Sequence, residues 1–468
     1  MATKICPKKI ILNTCRLDNE QRLFNCQASQ ISVHEQSLVS ISGKGCLVLD
    51  FGVEMCGGIR ILANVTDDCL IRVTFGESVA ETLAEDGYKN AVSAHSVRSF
   101  QTVIPSYSDI RLGETGFRFV RIELLEDKVI KIKSIFAENK ILTKKAIWQY
   151  SGTDDRIKEI FSVAKRTVDL CSCGKYVWDG IKRDRLVWAG DLYSEMIALT
   201  SMYGRLKKVE DTINFSRKNT PLPGWMNNIP SYSAWWIITL ADYYNATGYY
   251  PIVKQNLGYL EKLTYYVDAN IAENGEFNFD DKFIDLSLMY LSCSDDAVRA
   301  LYLVAANKAK YLLDKQSSTY SVWENIINKL NKKTINCCDQ KSVAALKFWA
   351  KGELSDSEKY ILADKTTSQS TFMSYFVFDA IYKIFGREKA TEEIKSYFGA
   401  MLDLGATTFW ENYEPSWSEN SIRLDELPKD SKKDFHGDYG MLCYKGYRMS
   451  LCHGWSSGII KLIYDMEI

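Results

Sequence analysis

Histidine is scarce in this chain: there are four in 468 residues. Thirteen cysteines are scattered through it, none spaced Cys-x-x-Cys, and Cys171 and Cys173 have a single residue between them. A structural zinc site draws four thiolate or imidazole ligands from short, regular spacings, so none is expected here. Free, mostly buried thiols in a reducing compartment fit this usage. Long apolar runs are missing as well. No stretch reaches the eighteen or so residues of a membrane span. The opening "MATKICPKKI" lacks the apolar centre of a signal peptide, and the expected location is the cytoplasm. Basic runs are absent too: 58 Lys and Arg stand against 59 Asp and Glu, a formal net charge of -1, so neither nucleic acid nor membrane is an expected partner.

Aromatic residues are plentiful, with 27 Tyr and 11 Trp. They can fill a large core, or they can offer flat faces to the apolar C–H face of a sugar ring. Position has to decide between the two. The length suits two or three domains, and the patterning divides the chain. In "IRVTFGE" Ile71, Val73 and Phe75 alternate with Arg72 and Thr74; "VRIEL" (120–124) and "KVIKIKSI" (128–135) alternate likewise. Period two with polar residues opposite predicts half-buried antiparallel strands, and Gly-rich "CGGIR" and "LGETG" supply turns. A β-sandwich domain over residues 1–145 is the natural packing of this many short strands. From about residue 150 the period changes. Ile157, Ile160, Phe161, Ala164 and Val168 share one helical face, with Asp154 or Asp155 to cap the start and Gly174 to stop it. Further helices are predicted near 192–205, 233–247, 254–269, 295–314, 320–332, 341–352, 370–385, 390–402 and 449–465. They form a helical domain over residues 146–468, with function carried by its loops.

Three stretches combine ionisable groups with indoles. "WDGIKRDRLVWAGDLYSE" (178–195) holds Asp179, Asp184 and Asp191 among two tryptophans, with Arg183 and Arg185 flanking Asp184. "GATTFWENYEPSW" (405–417) places Glu411 directly after Trp410 and Glu414 three residues on. "SLCHGWSSG" (450–458) places His453 two residues before Trp455. Glycoside hydrolysis needs one protonated carboxyl for the leaving oxygen and one ionised carboxylate for water, and neighbouring charges and burial can divide carboxyls in that way.

With "WAGD" (188–191), "GATTFWE" (405–411) and "CHGWSSG" (452–458) in this order, and with "LDFGVEMCGG" (49–58) and "IRVTFGES" (71–78) before them, the chain resembles the α-L-rhamnosidase family of six-hairpin glycoside hydrolases. The resemblance covers most of the chain. It implies a β-sandwich followed by an (α/α)6 barrel, and an inverting mechanism that uses no metal or organic cofactor. It puts the general acid at Asp184 and the general base at Glu411, with Glu414 as a substitute for the latter. Sugar-binding carboxylates fall on Asp179 and Asp191, the imidazole on His453, and an aromatic wall on Trp188. Arg183 and Trp410 are further substrate-binding candidates. "SAWWIITLADYYNATG" (233–248) looks like the family's helix bearing a ring-stacking tryptophan, Trp236 in preference to Trp235. An inverting acid and base stand about 6.5–9.5 Å apart.

The sequence departs from the family at several points. Asp184 stands where the family has glutamate, so the carboxyl reaches one methylene less far. "DGIKRD" replaces a Cys-Pro segment. In "KFIDLS" (282–287) Leu286 occupies the place of an indole, and the family's C-terminal β-domain has no counterpart after the last helix. The expected activity is removal of a terminal α-L-rhamnose or similar deoxy-sugar from an oligosaccharide or glycoside. Cleavage of a different glycoside and a catalytically weakened carbohydrate-binding protein remain open alternatives.

Overall fold

A computed structural model describes residues 2–466 apart from 27–28, 33–34, 36, 93–95, 183–184, 289–290, 365–366 and 442–443, and Leu286 through its backbone alone. Among the described residues of the first 139 there are nine strands: β1 (Thr3–Ile5), β2 (Lys9–Asn13), β3 (Arg16–Asp18), β4 (Val39–Ser42), β5 (Gly45–Val65), β6 (Cys69–Gly76), β7 (Ser99–Ile104), β8 (Ser108–Leu124) and β9 (Val129–Asn139). They form one sheet of order β3-β4-β9-β5-β8-β6-β7, with β1 on β9 and β2 on β5, and every pairing is antiparallel. Irregularities in the β5–β8 register between Asp50 and Met55 and between Gly57 and Ile59 bend the 21-residue β5. Its first part pairs with β2 and β8, and its second with β8 and β9. The alternation read from the sequence is the burial pattern: Ile71, Val73 and Phe75 of β6 and Ile122 and Leu124 of β8 enter one apolar core, while Arg72 pairs with Glu123 at 3.4 Å on the other face.

A short helix, α1 (Val79–Leu83), follows β6. The remaining helices are α2 (Asp155–Cys171), α3 (Leu192–Tyr203), α4 (Lys207–Lys218), α5 (Pro230–Thr247), α6 (Tyr250–Ala269), α7 (Ser294–Leu312), α8 (Ser318–Leu330), α9 (Lys341–Lys351), α10 (Asp356–Ala363), α11 (Ser374–Phe385), α12 (Arg387–Asp403), α13 (Phe435–Asp438) and α14 (Ile459–Met466). Helix α3 packs on α5, α5 on α7, α7 on α9, α9 on α11, α11 on α14 and α14 on α3, so the succession of neighbours returns to its start. Helices α6, α8, α10 and α12 pack behind α5, α7, α9 and α11. The inner position explains why α5 is buried from Pro230 through Ala241 without a polar face. A second apolar core, separate from that of the sheet, fills this helical part. Among the described residues no helix is long and apolar enough to cross a membrane.

Several expectations change. Asp154 is the cap of α2, its side chain accepting from the amides of Arg156 and Ile157, and the helix stops at Cys171, ahead of Gly174. Helices α4 and α10 were not expected. The first buries only Val209 and Ile213 among large apolar residues, and the second spans eight residues behind a Ser355–Glu358 capping box. The helix expected over 449–465 starts only at Ile459, because the chain before it runs as two single turns around the site described next. Cys6 and Cys26 are joined by a disulfide rather than free, while ten other cysteines carry free thiols.

Candidate active site

The sheet holds the site's segments by their backbones. Arg118 of β8 grips Asp50 of β5 with two hydrogen bonds of 2.9 Å and donates a third, 3.0 Å long, to the carbonyl of Gly405. The amide of Glu54 donates to Thr407 Oγ1 at 2.8 Å. Segment 405–411 is thereby docked on β5. It then runs beside segment 450–453. Glu411 N donates to Ser450 O and His453 N to Phe409 O, both at 2.9 Å, and Thr408 Oγ1 donates to Leu451 O at 2.7 Å. The segment of Asp179 joins from the other side. Gly454 N donates to Asp179 O at 2.6 Å, and Gly180 forms a β-bridge with His453. Gly116 of β8 is required where this segment crosses the sheet, because a Cβ there would stand 2.8 Å from Lys182 N.

These backbone contacts bring together side chains that are far apart in sequence. His453 Nε2 lies 3.9 Å from Asp191 Oδ2 and 3.8 Å from Glu411 Oε1, and all three residues are buried. Ser450 N donates to Glu411 Oε2 at 2.9 Å, which leaves Oε1 as the oxygen toward the imidazole. Trp455 packs on His453 with ring centres 4.4 Å apart, and its indole N–H donates to the backbone oxygen of Glu411 at 2.9 Å. Asp191 stands at the start of α3 and accepts from Tyr232 Oη at 3.1 Å. Asp179 is buried and accepts the amide of Leu186 at 3.0 Å. Trp188 is half-buried and meets Tyr232 edge to face. Arg183 and Asp184 lie outside the described residues.

Other candidates are placed elsewhere. Trp236 is fully buried, its indole N–H on the carbonyl of Ile213 in α4 at 3.1 Å and its ring against Tyr259 of α6. It packs α5 on the outer helices. Trp235 points the opposite way into the helical core, among Tyr193, Trp349, Phe372 and Phe376. Trp410 is fully buried against Tyr413 and Phe435. All three indoles pack among protein side chains. Glu414 is held by Ser368, and burial raises its carboxyl above the usual range. Asp285, in "KFIDLS", is buried, accepts from Ser287, Ser370 and the amide of Leu288, and is likewise raised by burial.

Sequence reasoning missed Glu195. This α3 carboxyl is buried one helical turn after Asp191, and burial first, then the negative Asp191 and Asp179, push it well above the carboxylate range. The like-charged i, i+4 pair at a helix start was the available signal. Gly454 is glycine for the same reason: a Cβ there would overlap Glu195 Oε1. Among the described residues one group has metal-ligand geometry, Glu77, Glu81 and His436, with ligand atoms within 4.8 Å of one another. A cation already sits there: Lys182 Nζ lies 3.0 Å from Glu77 and 3.2 Å from Glu81. Both His436 nitrogens are engaged as well, with Ser78 Oγ and Met449 O.

No family model matches the sequence, and no curated protein does. Solved structures do match. A rhamnosidase from Klebsiella oxytoca with rhamnose bound aligns over 100% of this chain and 96% of its own, with a TM-score of 0.77 and 16% identity. The chain shares its fold. A GH78 family rhamnosidase of Bacillus sp. GL1 aligns over 95% of this chain at TM-score 0.68 and 16% identity. A Streptomyces avermitilis α-L-rhamnosidase complexed with L-rhamnose aligns over 91% at TM-score 0.64 and 12% identity. The chain spans about half the length of these last two, 48% and 44%.

Proposed function

We propose that the protein is an inverting glycoside hydrolase that removes a terminal α-L-rhamnose or similar deoxy-sugar from an oligosaccharide or glycoside. One observation carries this reading: His453 Nε2 stands between Asp191 and Glu411, residues 220 positions apart, in a chain with the fold of rhamnosidases. In this reading residues 1–145 are a β-sandwich domain and residues 146–468 an (α/α)6 barrel whose inner ring is α3, α5, α7, α9, α11 and α14.

Glu411 is the general base. One oxygen is pinned by the Ser450 amide, so the other is held at a fixed position for the attacking water. Asp184, seven residues before Asp191, is the general acid that gives its proton to the glycosidic oxygen. Asp179, Asp191 and His453 bind the sugar hydroxyls, Arg183 joins them from the segment of the acid, and Trp188 covers an apolar face. Water attacks the anomeric carbon from the side opposite the leaving group. One proton passes from water to Glu411 and another from Asp184 to the departing oxygen, so the configuration inverts.

The test is hydrolysis of an aryl α-L-rhamnoside by the parent, Glu411→Gln and Asp184→Asn. The parent should turn over, and Glu411→Gln should lose about 10²–10⁴-fold in kcat. Asp184→Asn should keep more rate on an activated aryl leaving group than on an unactivated disaccharide. A parent inert on rhamnosides, or a Glu411→Gln variant as active as the parent, rejects the reading.

A further inference from the structure

Two sequence signatures of the N-terminal part, "LDFGVEMCGG" and "IRVTFGES", have no place in the chemistry above, yet they bring buried carboxyls to its edge. Glu77 is the next-to-last residue of the second. Its Oε2 accepts the amide of Leu451 at 2.6 Å and lies 3.0 Å from Lys182 Nζ, while Ser450 Oγ stands 3.5 Å from its Oε1. The residue whose amide Glu77 holds directly follows Ser450, whose own amide binds Glu411 Oε2. Lys182 also donates to the carbonyls of Tyr447 and Met449, at 2.8 and 2.9 Å. The backbone of 447–451 is thus tied at three points to two buried side chains, and the Ser450 hydroxyl adds a fourth contact.

We propose that Glu77, with Lys182, is a positioning residue for the base: it fixes residues 449–451 so that the Ser450 amide is aimed at Glu411. This rests on the reading of Glu411 as the base. Stability alone is a poor reason for the arrangement, because a buried ion pair gains little over apolar packing once desolvation is counted. The cluster is also costly. Burial and the neighbouring carboxyls raise Glu54, and burial, opposed by Lys182 and reinforced by Glu81, leaves Glu77 titrating at about 7. Groups facing Glu77 are Glu54 from β5, Glu81 from α1, Lys182 and, beyond Glu81, His436 from α13. Among the described residues, His453 and, across it, Asp191 face Glu411.

Glu77→Ala removes the anchor, whereas Glu77→Gln keeps an oxygen for Leu451 N and Lys182 and offers its amide to Ser450. A hydrogen bond to the ionised carboxylate lowers its pKa, so loosening Ser450 raises that of Glu411. In Glu77→Ala the acid limb of kcat/KM should move up by about one pH unit. Its kcat should fall about 10²-fold with KM nearly unchanged, the loss expected for a base misplaced by about 1 Å. Glu77→Gln should restore both. A merely structural role would lower the amplitude without moving the limb.

Amide hydrogen exchange of 449–453 reads the same anchor without any substrate. Protection there should fall at least about 10-fold in Glu77→Ala, with α5 and α7 unchanged, and return in Glu77→Gln. Unchanged exchange at 449–453 overturns the proposal. So does an unmoved acid limb in an active Glu77→Ala. A parent inert on every glycoside tried rejects the hydrolase reading, and the exchange arm still decides the anchor. Should Glu77→Ala fail to fold, Lys182→Gln, too short to reach Tyr447 and Met449, must show the same loss of protection over 447–451, and its absence overturns the proposal equally.

Discussion

Gly454→Ala adds one methyl group at the point where the two halves of the site meet. The new Cβ would overlap Glu195 Oε1 and stand 2.7 and 2.9 Å from Glu195 Cδ and Cγ. Rotating the carboxyl cannot relieve this, because Cγ is itself too close. Either α3 or residues 453–455 must move, by about 1 Å to reach ordinary contact. Overpacking of this kind costs about 1–3 kcal/mol. The displaced segment carries His453 and the Gly454 amide that holds Asp179 O. A 1 Å error in a positioned site costs about 10²-fold in rate, so hydrolysis should fall by that much while the circular dichroism spectrum stays native. The decisive assay is a double-mutant cycle with Glu195→Ala, which removes the overlapping atoms. Denaturant unfolding should show the double variant less destabilised than the sum of the singles, by about 1 kcal/mol or more. A Gly454→Ala variant as stable and active as the parent, or strict additivity, refutes the argument that residue 454 is glycine because of Glu195.

Stability should also depend on pH through His436. Burial, then the nearby Lys182, lower its pKa from 6.5 to about 4. The unfolded chain therefore binds a proton below pH 6.5 that the folded one refuses. Its contribution is present above pH 6.5 and lost as pH falls through 4, a loss of about 3 kcal/mol. Glu77, raised to about 7, works in the opposite direction between its ordinary value and pH 7, so the His436 share is read as the difference between parent and His436→Gln. Equal slopes for the two between pH 6.5 and 4 contradict the assignment. Trp236→Phe should lose about 1–3 kcal/mol, since it removes the donor to Ile213 O and part of the α5–α4 packing. KM for a rhamnoside should not change, and a severalfold rise in KM would return Trp236 to the sugar site.

The sequence carries some of this arrangement plainly. Strands β6, β8 and β9 are legible because one face of each is solvent-exposed or ion-paired, so alternation survives. Inner helices are harder to read: α5 is apolar on every side, and nothing in "SAWW" tells which of two adjacent indoles looks inward. The structure turns Trp235 to the core and Trp236 to the outer helices. Helix α4 escaped because Val209 and Ile213 are too few to set a period, and α10 because one capped turn pair is short. Asp191, Glu411 and His453 stood out through their neighbours, "WAGD", "GATTFWE" and "CHGW". Glu195 and Glu77 did not, since a single glutamate in a helix or at a strand end reads as surface until its burial is known.

The placement of charge separates two kinds of burial in this molecule. Around His453, Asp191 and Glu411 keep carboxylate oxygens facing an imidazole at nearly 4 Å, a spacing too long for a direct hydrogen bond and wide enough to be bridged by a sugar hydroxyl. Around Lys182, by contrast, the distances are 2.8–3.2 Å, to Glu77, Glu81 and the carbonyls of Tyr447 and Met449. The first arrangement is loosely spaced; the second is tight. The two share the backbone of 449–451, so the tight cluster sets the geometry of the open one. That gives a physical reason for the N-terminal sheet to be part of this chain: Asp50, Arg118, Glu54 and Glu77 hold the loops from which Glu411 and His453 project. Severing the sheet from the helical part should therefore abolish the Glu411–His453 geometry before it unfolds the helices, whose apolar core is their own.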